Sequence, residues 1–337
     1  MKIEEDVQII QKEINEARSA LNLNLAGLTI LTEAASNIFV VTPLIALAGQ
    51  AKKVYALCQN SQYGNYKTIA HNTYRMAQKM GLDISKLDII AKNKFKAHRE
   101  INIVTNLGHV RPLDKKILSL FQRGTVLSYM CEAWEYRPSD LDLKFCQKYD
   151  LPVFGVNEEH PLVNCFCETG LIALKLIFEA KISLIGARIA IISRDKFGRE
   201  ILKSIRHFNQ KTVLINHFEN IKKRLNNLDL IIIADYQYPK TIIGSKGIIS
   251  PEILKKQSPN VKIIQFCGHS NLKDIKKAGI SVYPNFELES QRMFQTLGDI
   301  SYKAVIRLYT AGLKVGEIGF RKDFNLQKYK SLIQHMK

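Results

Sequence analysis

Short apolar runs recur along this chain, separated by amphipathic segments, and that alternation is what most narrows its fold. A strand buried on both faces belongs to a parallel sheet, and a parallel sheet needs a crossover, usually a helix, between its strands. The runs GLTILT (27 to 32), KVYALC (53 to 58), LDIIA (87 to 91), INIVTN (101 to 106), TVLSYM (125 to 130) and PVFGV (152 to 156) predict one such sheet. A second series predicts another: RIAIIS (188 to 193), KTVLIN (211 to 216), LDLIIIA (228 to 234), VKIIQFC (261 to 267) and ISVYPN (280 to 285). Between the two, the segment from about Pro161 to Ile182 is apolar on most sides and reads as one long buried helix.

The pattern predicts an α/β protein with two Rossmann- or flavodoxin-like, doubly wound parallel-sheet domains and a cleft between them. The boundaries expected are a flavodoxin-like substrate domain over 1–160 and a Rossmann-like nucleotide-binding domain over 161–285. A helix over 286–315 returns to complete the first domain, and 316–337 forms a basic tail. At 337 residues the chain has room for two cores.

Composition removes several function classes. The chain is 46% hydrophobic and 24% charged, with no apolar run near the ~18 residues a membrane helix needs. The opening MKIEEDVQIIQKEINEA mixes charge with apolar residues instead of forming a secretory core, so a cytoplasmic protein is expected. The six cysteines are scattered without metal-ligand spacing, which suits free thiols and no metal site. The net charge of +18 is spread along the chain rather than gathered on one element. It therefore favours attraction of a small anion over a nucleic-acid face.

In open parallel sheets ligands bind beyond the carboxyl ends of the strands, so the loops there hold the candidates. After the first run come Glu33, a candidate ligand-facing carboxylate, and Ser36 and Asn37, which suit an N-cap. INIVTN leads into Asn106-Leu107-Gly108-His109-Val110-Arg111. Glycine permits close backbone approach, His109 exchanges protons near neutral pH, and Arg111 grips a carboxylate or phosphate with paired bonds. The structural alternative is that His109 caps the sheet and Arg111 pairs with Asp114. TVLSYM leads into Glu132, Trp134, Glu135 and Arg137, where a glutamate shielded by the tryptophan would suit acid or base work. PVFGV leads into Glu158, Glu159 and His160; the glutamates suit a helix start, and His160 is a further ligand-side candidate.

The order of parts resembles the D-isomer-specific 2-hydroxyacid dehydrogenases, the formate and glycerate dehydrogenase group, with adenosylhomocysteinase a more distant relative. The segments RPSDLDLKFCQKYDLPVFGVNEE, LIGARIAII, GIISPEILKKQSPNVKIIQFCG and ISVYPNFELESQRMFQTLGDISYKAVIRLYTAG carry the resemblance, which runs over roughly residues 85 to 315. It implies an oxidoreductase that uses NAD or NADP on a small anionic or sugar-derived metabolite, and a homodimer. It also implies a cofactor turn at Ser193, Arg194, Asp195, Lys196, Phe197 and Gly198, with Asn216 closing the next strand. In that family three glycines form the turn; here Ser193, Asp195 and Gly198 stand in their places. The family's substrate arginine falls at Gly268-His269, making His269 a catalytic candidate beside His109 and Glu132, and its catalytic histidine falls at Asn285. The second reading is a non-redox enzyme or binding protein that takes no dinucleotide and holds an anionic metabolite in the cleft.

Overall fold

The structure, a computed structural model, describes residues 6–96, 100–325 and 327–336. The strands of the first half are β1 (Thr29–Glu33), β2 (Lys53–Cys58), β3 (Leu87–Ala91), β4 (Ile103–Thr105), β5 (Val126–Tyr129) and β6 (Val153–Val156). Those that follow are β7 (Ile189–Ile192), β8 (Val213–Ile215), β9 (Leu230–Ala234), β10 (Thr241–Ile243), β11 (Lys262–Cys267), β12 (His269–Ser270) and β13 (Ser281–Tyr283), and the last is β14 (Ile333–Met336). Two compact units result: Met1–Cys165 with Ser301–Lys337, and Phe166–Ile300.

In the first unit the sheet runs β14-β6-β5-β4-β1-β2-β3, parallel throughout except for β14, which lies antiparallel on β6. Without β14 this is the order 3-2-1-4-5-6 of a dinucleotide-type sheet. In the second unit the order β13-β11-β9-β7-β8 is the flavodoxin-like one, with β10 and β12 paired apart from it. The expected labels are thus exchanged between the two halves. Apolar runs identify buried strands, but strand order is decided by which side each crossover takes, and the runs do not encode that.

The C-terminal helix, Tyr302–Arg321, lies on the first sheet. Its glycines let backbone approach strand: a Cβ at Gly312 would stand 2.3 Å from Met130 Sδ, at Gly316 2.7 Å from Ile103 Cγ2, and at Gly319 2.6 Å from Phe154 Cε2. The Ser128 hydroxyl closes the contact by donating to the Gly312 carbonyl at 2.6 Å. The N-terminal helix, Val7–Leu21, buries Val7, Ile10, Ile14, Ala17 and Leu21 at helical spacing and packs on the C-terminal helix.

Three sequence expectations change. The helix expected from Pro161 to Ile182 is helical only over Thr169–Glu179, because turns fill the segment up to a 3₁₀ turn at Phe166–Glu168 and Asn164 is left-handed at φ 42°. The helix expected over 286–315 runs instead over Tyr302–Arg321. Ser301 caps it, and the preceding backbone pairs with the exit of β11 through the Phe294 N–H and the Phe266 carbonyl. The basic tail is in part helix and in part β14. No helix among the described residues is long and apolar enough to cross a membrane.

The glycine stripe sets a test of the packing. Gly316→Val puts a branched side chain against Ile103, which cannot swing away, and should lower the unfolding free energy in urea by about 2 kcal/mol or more. An unchanged midpoint would mean that helix and sheet are not held this closely.

Candidate functional site

In the first sheet strand order reverses between β1 and β4, and the gap at such a reversal is where a ligand fits beyond the carboxyl ends. Glu33 is the last residue of β1, and β4 delivers the loop Asn106–Arg111 beside it. Asn106 is buried and accepts the Met130 N–H at 2.7 Å, which ties the loop to the exit of β5. The N–H groups of Val110 and Arg111 both reach the Leu107 carbonyl, so the chain turns tightly. The turn presents the His109 N–H to Glu33 Oε2 at 2.8 Å. The His109 ring places Nδ1 2.9 Å from the Ala34 carbonyl; in the neutral ring this nitrogen donates and Nε2 is left an acceptor. Burial pushes the Glu33 carboxyl above its ordinary pKa, opposed by that N–H bond and by the charges of His109 and Arg111.

Arg111 donates through Nη1 to Asp140 Oδ2 at 2.7 Å. It does not pair with Asp114, which instead caps a short helix by accepting the Ile117 N–H at 3.0 Å. Arg137 donates through Nε to the same Asp140 oxygen at 2.8 Å. Two guanidiniums therefore share one buried carboxylate, and the Arg111 side chain stays 26% exposed against 5% for Asp140. Lys92 fastens the loop from outside by donating to the Arg111 carbonyl.

The loop after β5 has a strong structural role. Glu132 and Glu135 cap its 3₁₀ turn reciprocally. The carboxylate of Glu132 also accepts the Trp134 indole N–H and, at 3.2 Å, the Glu158 N–H. His160 stands apart: Nδ1 accepts the Leu162 N–H at 3.2 Å while Nε2 lies 3.2 Å from the Lys328 carbonyl. Burial lowers its pKa, so it is held as a neutral, structural ring.

In the second sheet the order reverses between β7 and β9. Asp195 follows β7 and caps the helix Lys196–Arg206, accepting the Phe197 N–H at 3.0 Å. It also accepts the Ser193 hydroxyl at 3.0 Å and, from the loop after β9, the Tyr236 N–H at 2.6 Å. The Ser193 oxygen takes the Gly198 N–H at 3.1 Å. A Cβ at Gly198 would lie 2.4 Å from Ser193 Cβ, so this glycine is needed for helix-to-strand contact. Arg194 grips Asp235 through Nε at 2.7 Å and Nη2 at 3.2 Å, with its guanidinium over the rings of Phe218 (4.5 Å) and Tyr238 (4.8 Å). Lys196 lies over the Phe166 ring, Phe197 is buried, and Asn216 is exposed past β8. His269 is on β12 and bonds through Nδ1 to the Thr241 hydroxyl at 2.9 Å.

No protein-family model matches this chain, and no curated protein matches it by sequence. Solved structures do. A dipicolinate synthase subunit from Bacillus halodurans superposes with a TM-score of 0.58 over 88% of this chain and 99% of its own, at 9% identity. A putative D-3-phosphoglycerate dehydrogenase oxidoreductase from Ralstonia solanacearum gives 0.50 over 90% and 97%, at 10% identity. The chain shares their fold. At this identity the likeness is one of architecture, and function has to be argued from the site.

That fold implies a dinucleotide, whose pyrophosphate would take the free N–H groups of the turn after β7. Here the Phe197 and Tyr236 N–H groups go to Asp195 and that of Gly198 to Ser193, so an ionised carboxylate already occupies the anion's place. Ser193 and Asp195 stand where glycines would leave steric room, and Asn216 stands where a carboxylate would hold the ribose. The residues present do not fit the pyrophosphate. Sequence reasoning singled out Arg111, Arg137 and Arg194 but not the acids that pair with them, Asp140 and Asp235. Asp140 lies three residues after Arg137, a spacing that hints at pairing; Asp235 follows an apolar strand with no such signal.

Asp195 gives this arrangement a measurable signature. Burial raises its pKa from 3.8 to about 6, against the hydrogen bonds that favour the carboxylate. The folded chain therefore holds a proton between those two values that the unfolded chain has released, and its stability falls as pH rises through that window. The free-energy difference between the native protein and Asp195→Ser, from urea unfolding, should decline by about 2 to 3 kcal/mol between pH 4 and pH 7. A difference independent of pH would show that Asp195 is not buried as described.

Proposed function

We propose that this chain binds a small anionic metabolite at the strand reversal of its first sheet, with Arg111 as the anion-binding group and Glu33 and His109 beside it for proton transfer. It does so as a binding protein or a non-redox enzyme, without a dinucleotide. The observation that carries the reading is the pairing of Arg111: one nitrogen is pinned at 2.7 Å by Asp140, itself shared with Arg137, while the side chain remains a quarter exposed. A guanidinium oriented on one edge and open on another is preorganised for a carboxylate or phosphate oxygen.

The neighbouring groups suit proton transfer of opposite sense. His109 offers Nε2 as an acceptor, because Nδ1 is turned to the Ala34 carbonyl. Glu33, held by burial toward its protonated form, is placed to act as a donor.

The second reading, an NAD- or NADP-dependent oxidoreductase, is favoured by the shared fold across most of the chain. Calorimetric titration with NADH and NADPH at about pH 8 separates the two. We expect no saturable heat for either nucleotide, and a micromolar dissociation constant would turn the conclusion to the oxidoreductase.

For the anion site, Arg111→Met should abolish the thermal stabilisation conferred by acetate over chloride at equal ionic strength. The variant should still fold, because Asp140 keeps Arg137. Equal stabilisation of native and variant protein would remove Arg111 from the site.

A further inference from the structure

The C-terminal helix brings a group to this site from far along the chain. Tyr309, Gly312, Gly316 and Gly319 follow i, i+3, i+7, i+10 spacing and so share one helix face. That face is the one on the sheet, since Gly319 meets Phe154 and Val126, Gly316 meets Ile103, and Gly312 meets Met130. The helix therefore runs from the carboxyl ends of the strands toward their starts. Val126 opens β5 and Met130 lies just past its end. One turn before Gly312, Tyr309 extends over the carboxyl ends, where Glu33 and the loop Asn106–Arg111 emerge.

The tyrosine is 8% exposed, and its ring centroid is 6.1 Å from that of Phe39. Its hydroxyl makes no hydrogen bond to any described residue. Glu33, Arg111, Cys131 and Glu158 all lie within electrostatic reach of it, and burial holds the phenol well above its ordinary pKa. The residue is buried while its hydroxyl oxygen is not closed off, and a neutral phenol so placed among these groups is a hydrogen-bond donor open to a ligand oxygen.

We propose that the Tyr309 hydroxyl donates a hydrogen bond to an oxygen of the small anion held by Arg111, and that the site formed by Arg111, Glu33 and Tyr309 takes a singly charged oxyanion. This rests on the assignment of Arg111 to the anion and adds the residue that recognises its oxygen. The charge limit follows from the inventory. Arg111 and Arg137 already share Asp140, and the buried carboxyls of Glu132, Glu135 and Glu158 oppose a second negative charge on the ligand.

The test uses the full chain with acetate and with inorganic phosphate, the latter mostly doubly charged at about pH 8. Affinity is read from the concentration dependence of thermal stabilisation against chloride at constant ionic strength, for native protein, Tyr309→Phe and Arg111→Met. We expect acetate to bind more tightly than phosphate, and Tyr309→Phe to weaken acetate by about tenfold, the worth of one hydrogen bond to a charged acceptor. A near-ultraviolet tyrosine difference spectrum on adding acetate should appear in native protein and vanish in Tyr309→Phe, a change that a merely structural tyrosine would not give. If Arg111→Met loses acetate while Tyr309→Phe binds as the native protein does, the tyrosine assignment fails and the arginine site stands. If native protein responds to neither anion, the arginine site fails and this inference with it. Tighter binding of phosphate than of acetate would overturn the single-charge assignment.

Discussion

Parallel pairing fixes the direction of every strand in a sheet, so all carboxyl ends, and the loops that follow them, gather along one edge. The groups left unsatisfied by the sheet's own hydrogen bonds collect there too. Where strand order reverses, the crossovers part and leave a gap in that edge. Each unit of this protein has one such gap, between β1 and β4 and between β7 and β9. Nearly everything chemical in the chain is a consequence of how those two gaps are furnished.

They are furnished in opposite ways. At the β7–β9 reversal the helix start is served by the protein's own carboxylate, because Asp195 reaches two backbone N–H groups and a serine hydroxyl that a phosphate would otherwise take. At the β1–β4 reversal the protein supplies a cation: Asp140 holds one edge of Arg111 and is shared with Arg137. The two arrangements cost differently. Ionising Asp195 in a buried place works against folding, as its raised pKa shows, whereas Arg111 keeps part of its solvation through its exposed edge.

How much of this was legible in the sequence follows the physics of each signal. Period and burial mark the strands, so the runs at 53–58 and 87–91 are matched residue for residue by β2 and β3. The loops at strand ends were legible as loops, and Glu33, His109 and Arg111 do meet there. Strand order was not, because it depends on crossover geometry. The helix over 161–182 misled because apolar spacing is blind to the left-handed turn at Asn164. Tyr309 lies within the helix expected over 286–315, and no residue pattern marks it. Its role becomes visible only once the glycines at 312, 316 and 319 place that face of the helix on the sheet.

Charge accounting explains why the shared fold need not carry the shared cofactor. At the second reversal one guanidinium, Arg194, is set against two carboxylates, Asp235 and Asp195, and the excess is negative whenever Asp195 is ionised. At the first, Asp140 holds one edge of Arg111 and leaves the side chain a quarter exposed, and Glu33 beside it is held toward its neutral form. Over a few ångströms in a partly buried place, the sign of the nearest charge outweighs most differences in shape, since a unit charge at 4 Å is worth several kcal/mol at intermediate dielectric. A backbone turn of the right form therefore opposes the ligand its form suggests, while, on the reading proposed above, a loop with no recognisable signature takes one. Fold resemblance reads the path of the backbone and sequence motifs read the residues at its turns; neither shows the partners of those residues, Asp140 and Asp235, on which the charge at each gap depends.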